Sequence, residues 1–236
     1  SRVPELVQLA KDLGMNAIAM TDHGNLFGAI EFYKECSEAG IKPIVGYEAY
    51  VAPTHRTDRT MKKRGESGYH LTLLAQNLTG FKNLVKLASI AYLEGYHYIP
   101  RIDKEVLEQH GKGLICLSGC ASSEFSDYIL LEQMDKARET AMWFSKVFGD
   151  NFYVEIQNNG LDIQRRCAEG AIDIANELGL PLVATCDAHY LRQEDHGAHD
   201  VLLCINTQRL LTDENRMRYG SDQFYVRPPE EMYRLF

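Results

Sequence analysis

Short apolar segments of strand length alternate with amphipathic helical segments along most of this chain. The apolar segments lie at 17–20, 41–48, 69–75, 113–117, 152–156 and 181–186. The helical segments lie at 4–13, 26–39, 81–91, 134–148 and 163–178, and several end at a glycine. Strands that are apolar on both faces and separated by helices are typical of a parallel sheet covered by helices. The alternation predicts an α/β fold whose sheet is either open or closed as a barrel.

The chain is long enough for one such unit. Its 236 residues, 45% of them hydrophobic, can form two small domains or one large α/β barrel. Near the C-terminal end the alternation fades: a predicted helix at 195–205 is followed by a charged tail, in which Pro228-Pro229 indicate the start of a last helix. We expect a barrel domain over residues 1–205 and a separate C-terminal segment over residues 206–236.

Charge and cysteine content limit the classes of function. Asp and Glu number 33 against 25 Lys and Arg, giving a formal net charge of −8. A general nucleic-acid coat is excluded, since contact with a polyanion would need a local basic patch or bound cations. The six cysteines include no Cys-x-x-Cys pair and no short disulfide-rich spacing, which favours a reducing, cytoplasmic location. No apolar run approaches the roughly 18 residues that span a bilayer, so no membrane partner is expected.

Residue types that ligate metals occur at the ends of the predicted strands. These residues are His23, Glu48, His70, Cys120, Asp187 and His189. Imidazole, thiolate and carboxylate together suit zinc or another borderline divalent ion, and a carboxylate can bridge two metals. Asp187 and His189 are two apart on an extended segment, so their side chains should face the same way. Spacing alone leaves open both a metal site and a set of hydrogen-bonded or buried structural residues.

Other polar residues are weaker candidates for a functional site. Glu155 lies at a strand end and is a second-rank candidate for the same site. Arg101 is either a phosphate contact or part of a surface ion pair. Residues 53–68 are expected to form a mobile basic loop. His97 is ambiguous, and the remaining histidines are interpreted as solvated or capping residues: His55, His110, His196 and His199. His110 precedes Gly111 at a predicted helix end.

Six short motifs together resemble a known family. The motifs are Thr21-Asp22-His23-Gly24-Asn25, Gly46-Tyr47-Glu48, His70-Leu71-Thr72-Leu73-Leu74-Ala75, Leu117-Ser118-Gly119-Cys120, Thr185-Cys186-Asp187-Ala188-His189-Tyr190 and Ala198-His199-Asp200-Val201-Leu202-Leu203-Cys204-Ile205. They resemble the polymerase and histidinol phosphatase (PHP) domain family. Within it, the Ser-Gly-Cys and Ala-His-Asp-Val-Leu-Leu-Cys-Ile segments favour the branch at the N-terminus of bacterial replicative polymerases, the DNA polymerase III alpha subunits.

The resemblance implies a distorted (β/α)7 barrel with a trinuclear site for zinc, manganese or iron at one end. By position, Glu48 would bridge two metals, His70 and Cys120 would complete one of them, and Asp187 would bind another. His23 and His189 would hold the third ion. Glu48, Asp187 and His189 would then be the catalytic residues.

The family pattern also begins with a strand carrying His-x-His, which would precede Ser1. We therefore expect a barrel whose N-terminal strand is missing from this sequence, and up to three divalent ions only where that strand is present. The six ligand positions that the sequence does cover are filled by competent residue types.

By this resemblance, the domain would be a metal-dependent phosphoesterase or 3′–5′ exonuclease, with polymerase activity residing beyond Phe236. Its partners would be DNA, bound through the full-length polymerase, the remaining polymerase domains and a proofreading exonuclease subunit. Two alternatives stay open. The domain is either a non-catalytic module that stabilises the polymerase or binds the proofreading subunit, or a stand-alone PHP phosphatase acting on a small phosphate monoester.

Overall fold

The structure is a computed structural model that describes residues 1–60 and 68–236. Its helices are α1 (Val3–Asp12), α2 (Ala29–Ala39), α3 (Leu78–Leu93), α4 (Lys104–His110), α5 (Glu124–Leu130), α6 (Met134–Phe148), α7 (Asp162–Leu178), α8 (His196–Thr207) and α9 (Pro229–Leu235). Its strands are β1 (Ala17–Met20), β2 (Lys42–Val51), β3 (Tyr69–Ala75), β4 (Arg101–Ile102), β5 (Leu114–Leu117), β6 (Phe152–Gln157) and β7 (Leu182–Thr185). The α/β alternation predicted from the sequence is confirmed.

The strands form one mixed sheet in the order β1-β2-β3-β5-β6-β7, with β4 beside β2. The pairs β1–β2, β5–β6 and β6–β7 are parallel, whereas β3 runs antiparallel to both β2 and β5. The prediction of a parallel sheet is therefore wrong at β3. A parallel pair needs a crossover of a dozen or more residues, usually a helix. Residues 52–60, the described part of the connection from β2 to β3, contain no helix.

The sheet curls, so that its two edge strands approach each other at one end. Strands β1 and β7 are not paired with each other in the described part of the chain. His23, which follows β1, and His189, which follows β7, nevertheless have ring centroids only 6.1 Å apart. The curl gives a distorted, open barrel and brings residues from both edges to one place.

The main hydrophobic core lies between the sheet and helices α3, α6 and α7. Residues on the helix-facing side of β2 and β3, such as Tyr47 and Leu73, are buried there together with Leu84 of α3 and Phe144 of α6. A second cluster packs α1 and α2 against β1 around Phe32. Burial on this scale holds the strands that carry the polar residues in fixed register.

Hydrophobic periodicity does not predict three short elements, although a helix end was expected at His110, where α4 ends. Strand β4 has two residues, and helices α4 and α5 have seven each. Each helix begins at a capping residue: the side chain of Asp103 accepts from the Val106 amide, and that of Ser123 accepts from the Ser126 amide. Helices this short show too few periodic positions for the pattern to be recognised.

The C-terminal segment returns to the barrel. Tyr225 forms a parallel bridge with Tyr190, and the Phe224 carbonyl accepts from the His189 amide at 2.8 Å. Arg216 forms a two-pronged ion pair with Asp200 on α8. Residues that follow α8 therefore lie beside those that follow β7.

None of the helices in residues 1–60 and 68–236 combines the length and apolar character needed to cross a membrane.

Candidate metal centre

Three ligand-type side chains converge at the curled end of the sheet. Glu48 Oε1 lies 2.6 Å from His70 Nδ1 and 3.7 Å from His23 Nδ1. One donor atom from each of the three residues falls within 4.8 Å of the others. In the antiparallel register, Glu48 pairs with Thr72 and Tyr50 with His70, so Glu48 and His70 are diagonal neighbours on one face. His23 joins them because the residues after β1 continue in parallel beside β2.

Cys120 approaches the same group from β5. Its Sγ lies 3.7 Å from His70 Nδ1 and accepts from the Ser122 amide at 3.4 Å. Gly119 makes this approach possible, since its φ is +88° and a Cβ there would lie 2.6 Å from the His70 carbonyl oxygen. The Ser-Gly-Cys motif thus has a steric reason in this fold.

Asp187 and His189 come from the turn that follows β7. Asp187 has a left-handed backbone with φ of 47°, and its carbonyl accepts from His189 Nδ1 at 2.9 Å. Its carboxylate Oδ1 lies 3.7 Å from the same nitrogen. The His189 ring faces that of His23 across the open side of the barrel. All six residues predicted as ligands therefore surround one end of the barrel.

The electrostatics of this cluster favour a cation. Burial opposes ionisation of Glu48, yet its pKa is lowered because His70 donates to it and His23, His70 and His189 are nearby. Burial raises the pKa of Asp187, and the neighbouring Glu48 charge adds to the shift. Burial, together with Glu48 and Asp187, raises the pKa of the Cys120 thiol well above its usual value. The cluster brings nitrogen, sulfur and carboxylate donors together, and the histidines offset its acidic charge only in part. Such a donor set fits a borderline divalent ion.

Glu155, on β6, is buried near Glu48 and Asp187 of the cluster. Burial raises its pKa to about 7, and the charges of Asp187 and Glu48 contribute. Its Oε1 accepts from Thr185 Oγ1 at 2.5 Å and from Gln157 Nε2 at 3.1 Å. The structure thus places this second-rank candidate among interior hydrogen-bonding partners of β6 and β7.

The rings of Tyr219 and His199 lie beside the cluster, next to His189. The Tyr219 ring lies 4.9 Å from that of His189 and 5.0 Å from that of His199. The His199 ring lies 5.9 Å from His189, and His199 Nδ1 is buried without a hydrogen-bond partner in the described residues. The interpretation of His199 as a solvated or capping residue is wrong, because the C-terminal segment covers it. Tyr219 was missed, since no local pattern indicates that this segment returns to the site.

Arg101 is not a phosphate contact in this fold. It is 1% exposed, and its guanidinium donates to the carbonyls of Gly95, Arg56 and Asp58. Arg56 in turn forms ion pairs with acidic residues at the start of α4, namely Asp103 and Glu105, and with Glu94. His55 lies in the same network at 3.2 Å from Glu105. These residues anchor the beginning of the predicted basic loop, whereas its Lys62, Lys63 and Arg64 lie outside the described residues.

Sequence similarity relates this chain to a known domain family and to bacterial polymerase subunits. The PHP domain family matches residues 1–159, a range that includes His23, Glu48, His70 and Cys120 but not the turn after β7. The DNA polymerase III subunit alpha of Borreliella burgdorferi is 46% identical over 236 residues, covering 100% of this chain and 21% of the relative. The Thermus aquaticus and Treponema pallidum subunits are 52% and 47% identical, covering 92% and 100% of this chain and 18% and 20% of the relatives. The chain spans about a fifth of the length of these relatives. A family match over well more than half of its residues shows that the chain belongs to the PHP domain family.

Proposed function

We propose that this chain is the PHP domain of a bacterial DNA polymerase III alpha subunit and that it acts as a metal-dependent phosphoesterase on DNA 3′ ends. The observation that carries the proposal is the position of Glu48 Oε1, within 3.7 Å of both His70 Nδ1 and His23 Nδ1. A buried carboxylate between two imidazoles, with a thiol beside one of them, is typical of a metal centre. Similarity to the polymerase subunits supports a phosphodiester substrate.

In this proposal the six residues divide the ligand roles. Glu48 would bridge two ions, His70 and Cys120 would complete the site of one, and Asp187 would bind the other. His23 and His189 would hold a third ion, and the ions would be zinc, manganese or iron. When bound, such ions polarise a phosphodiester and offset charge on the leaving oxygen. The acidic cluster would then be neutralised, so that a phosphate can approach it.

The chain's own residues would orient the substrate and the ligands. The Asp187 carbonyl holds the Nδ1 proton of His189, which leaves Nε2 of that ring as the nitrogen available to a metal. The rings of Tyr219 and His199 pack against that of His189 and would help to hold its orientation. Glu48, Asp187 and His189 are the residues to which we assign catalysis.

The wider role follows from the relatives and is part of the proposal. Polymerisation would reside outside this chain, and the domain would meet DNA through the full-length polymerase in the cytoplasm. The remaining polymerase domains and a proofreading exonuclease subunit would be its protein partners. Residues 1–205 would form the barrel domain, and 206–236 would lead toward the polymerase core after covering the site.

The test is digestion of a labelled single-stranded DNA from its 3′ end by the full-length protein with Mn²⁺ or Zn²⁺. We expect Asp187→Asn to lower the rate by roughly 100-fold or more, since it removes a proposed ligand charge. The matched control is Asp173→Asn, on the exposed face of α7, which should leave the rate unchanged. Equal rates for Asp187→Asn and wild type would contradict the proposal.

Two further outcomes separate the alternatives. Hydrolysis of a small phosphate monoester such as histidinol phosphate without digestion of DNA would favour a stand-alone phosphatase. A wild-type protein that neither binds metal nor digests DNA would favour a non-catalytic module.

A further inference from the structure

A chain of buried amide side chains runs from the barrel interior to the turn that carries Asp187. Its members are Gln157 on β6, Asn159 just after β6, and Gln164 on α7. They are 8%, 0% and 5% exposed, respectively. Burying three amides is costly unless each finds hydrogen-bond partners, so their partners indicate what they do.

The hydrogen bonds form a continuous path. Gln157 Nε2 donates to Glu155 Oε1 at 3.1 Å and to Thr185 Oγ1 at 3.3 Å. Gln164 Nε2 donates to Gln157 Oε1 at 3.1 Å. Gln164 Oε1 then accepts from the Asn159 backbone amide at 2.7 Å. This last bond holds the Asn159 backbone to α7, whereas Asn159 Oδ1 is buried without a hydrogen-bond partner among the described residues.

The path ends on the backbone next to the metal centre. Asn159 Nδ2 donates to the Cys186 carbonyl oxygen at 2.8 Å. Cys186 precedes Asp187, whose φ of 47° is a left-handed conformation that a non-glycine residue adopts only at an energetic cost. Such a conformation persists only where its surroundings hold it, and the bond to Cys186 acts on the peptide that precedes Asp187.

The backbone at Asp187 determines the orientation of His189. The Asp187 carbonyl accepts from His189 Nδ1 at 2.9 Å. Groups that bind the second nitrogen of a ligating histidine set its tautomer and ring orientation. A rotation of the Asp187 peptide would therefore move the Asp187 carboxylate and turn the His189 ring.

We infer that the buried chain Gln157–Gln164–Asn159 is a positioning device for the metal centre, which holds the Cys186 carbonyl so that Asp187 and His189 face the site. This inference rests on the proposed function, because it gives Asp187 and His189 the role of ligands. Asn159 and Gln164 are positioning residues that touch no substrate. They hold the turn after β7 in its ligand-binding conformation before any ion binds.

The test uses Co²⁺ as the probe, titrated into the metal-free full-length protein and followed by its visible absorption. Asn159→Asp replaces the donor to the Cys186 carbonyl with an acceptor of the same size. We expect it to weaken Co²⁺ binding by about 10- to 100-fold, the usual cost of losing a group that orients a ligand. The control is Asn158→Asp, the same change at an exposed neighbouring residue, which should not alter the affinity.

A second variant covers the case in which Asn159→Asp does not fold. Gln164→Met keeps the side-chain size but removes the oxygen that accepts from the Asn159 backbone amide. Residue 164 lies on α7 rather than at the turn. It should weaken Co²⁺ binding in the same direction. Thermal unfolding of the metal-free proteins, measured in parallel, reports any purely structural effect.

Three outcomes would overturn the inference. Folded Asn159→Asp and Gln164→Met that bind Co²⁺ as tightly as wild type would contradict it, even where their thermal stability is lowered. An equal loss of affinity in Asn158→Asp would show that the effect is not specific to the chain of amides. A wild-type protein that binds no Co²⁺ would contradict the proposed function, and this inference with it.

Discussion

Glu155 is a buried residue that interacts electrostatically with the candidate metal centre. It is 8% exposed and accepts hydrogen bonds from Thr185 and Gln157, yet burial still raises its pKa to about 7. The charges of Asp187 and Glu48 act in the same direction. Acidic groups that repel one another at one end of a barrel are stable together only when protons or cations neutralise part of their charge.

Replacing this carboxyl should change the pH dependence of stability. The folded protein keeps the Glu155 proton up to about pH 7, whereas the unfolded chain releases it near 4.5. Ionisation therefore lowers the stability of the folded state as the pH rises through this interval. In metal-free protein, Glu155→Gln should be more stable than wild type by roughly 1–3 kcal/mol at pH 8, and equal to it near pH 4.5.

Denaturant unfolding at the two pH values measures this difference. Glu139→Gln, on the exposed side of α6, is the matched control and should show no gain at either pH. A gain for Glu155→Gln that is the same at both values would mean that its ionisation does not affect folding.

Among the helices and strands, the position of β3 could be predicted from the sequence, but its antiparallel direction could not. Six strands and most helices lie where hydrophobic periodicity places them. Direction is not encoded in that pattern, because it depends on whether the connection can cross over the sheet. Strand β4 and helix α5 were missed, and of helix α4 only the end at His110 was expected. All three are too short to show a period, and local caps and tertiary contacts set their ends.

The close contact between α3 and the turn before β5 should contribute to the stability of the protein. Gly80, in the first turn of α3, lies so close to the Gly113 carbonyl that a Cβ would be 1.8 Å from its oxygen. Gly80→Ala must displace either α3 or that turn, and it should destabilise the protein by about 2 kcal/mol or more. Chemical denaturation measures the loss.

A matched glycine lies on α8. A Cβ added at Gly197 would meet nothing within 4 Å. Gly197→Ala should therefore raise stability by up to about 1 kcal/mol, since alanine favours the helix. A gain in Gly80→Ala similar to the gain in Gly197→Ala would mean that helix propensity, and not the close approach to Gly113, governs position 80.

For the whole molecule, the chain path explains why the site could be predicted only in part. The six ligand-type residues were recognisable because each follows or lies within a strand whose end is visible in the sequence. Tyr219 and His199 were not, because their place beside His189 depends on the return of the C-terminal segment. A connection of this kind is set by tertiary packing, which the residue pattern does not contain.

Phe224 should control whether this segment stays on the barrel. It is 4% exposed and packs on the rings of His189 and Tyr219. We expect Phe224→Ala to cost about 3–5 kcal/mol at this contact and to release the segment while the barrel stays folded. Hydrogen exchange should then increase at residues 209–226 and stay slow in α6 and α7.

Tyr233→Ala provides the control, since Tyr233 belongs to the same segment but is 86% exposed. It should leave exchange unchanged. Faster exchange throughout α6 and α7 in Phe224→Ala would contradict local release, because it would show that the segment and barrel unfold together.

We expect His23, Glu48 and His70 to hold a divalent ion, and the metal content of the full-length protein measures this. After equilibration with Zn²⁺ or Mn²⁺ and removal of free ions, elemental analysis should find at least one divalent ion per wild-type chain. Glu48→Gln keeps the size of the side chain but removes the charge between the two imidazoles. It should lose most of this metal, since ligands of such ions must be deprotonated donors. Less than one ion per wild-type chain, or an undiminished metal content in Glu48→Gln, would contradict the claim.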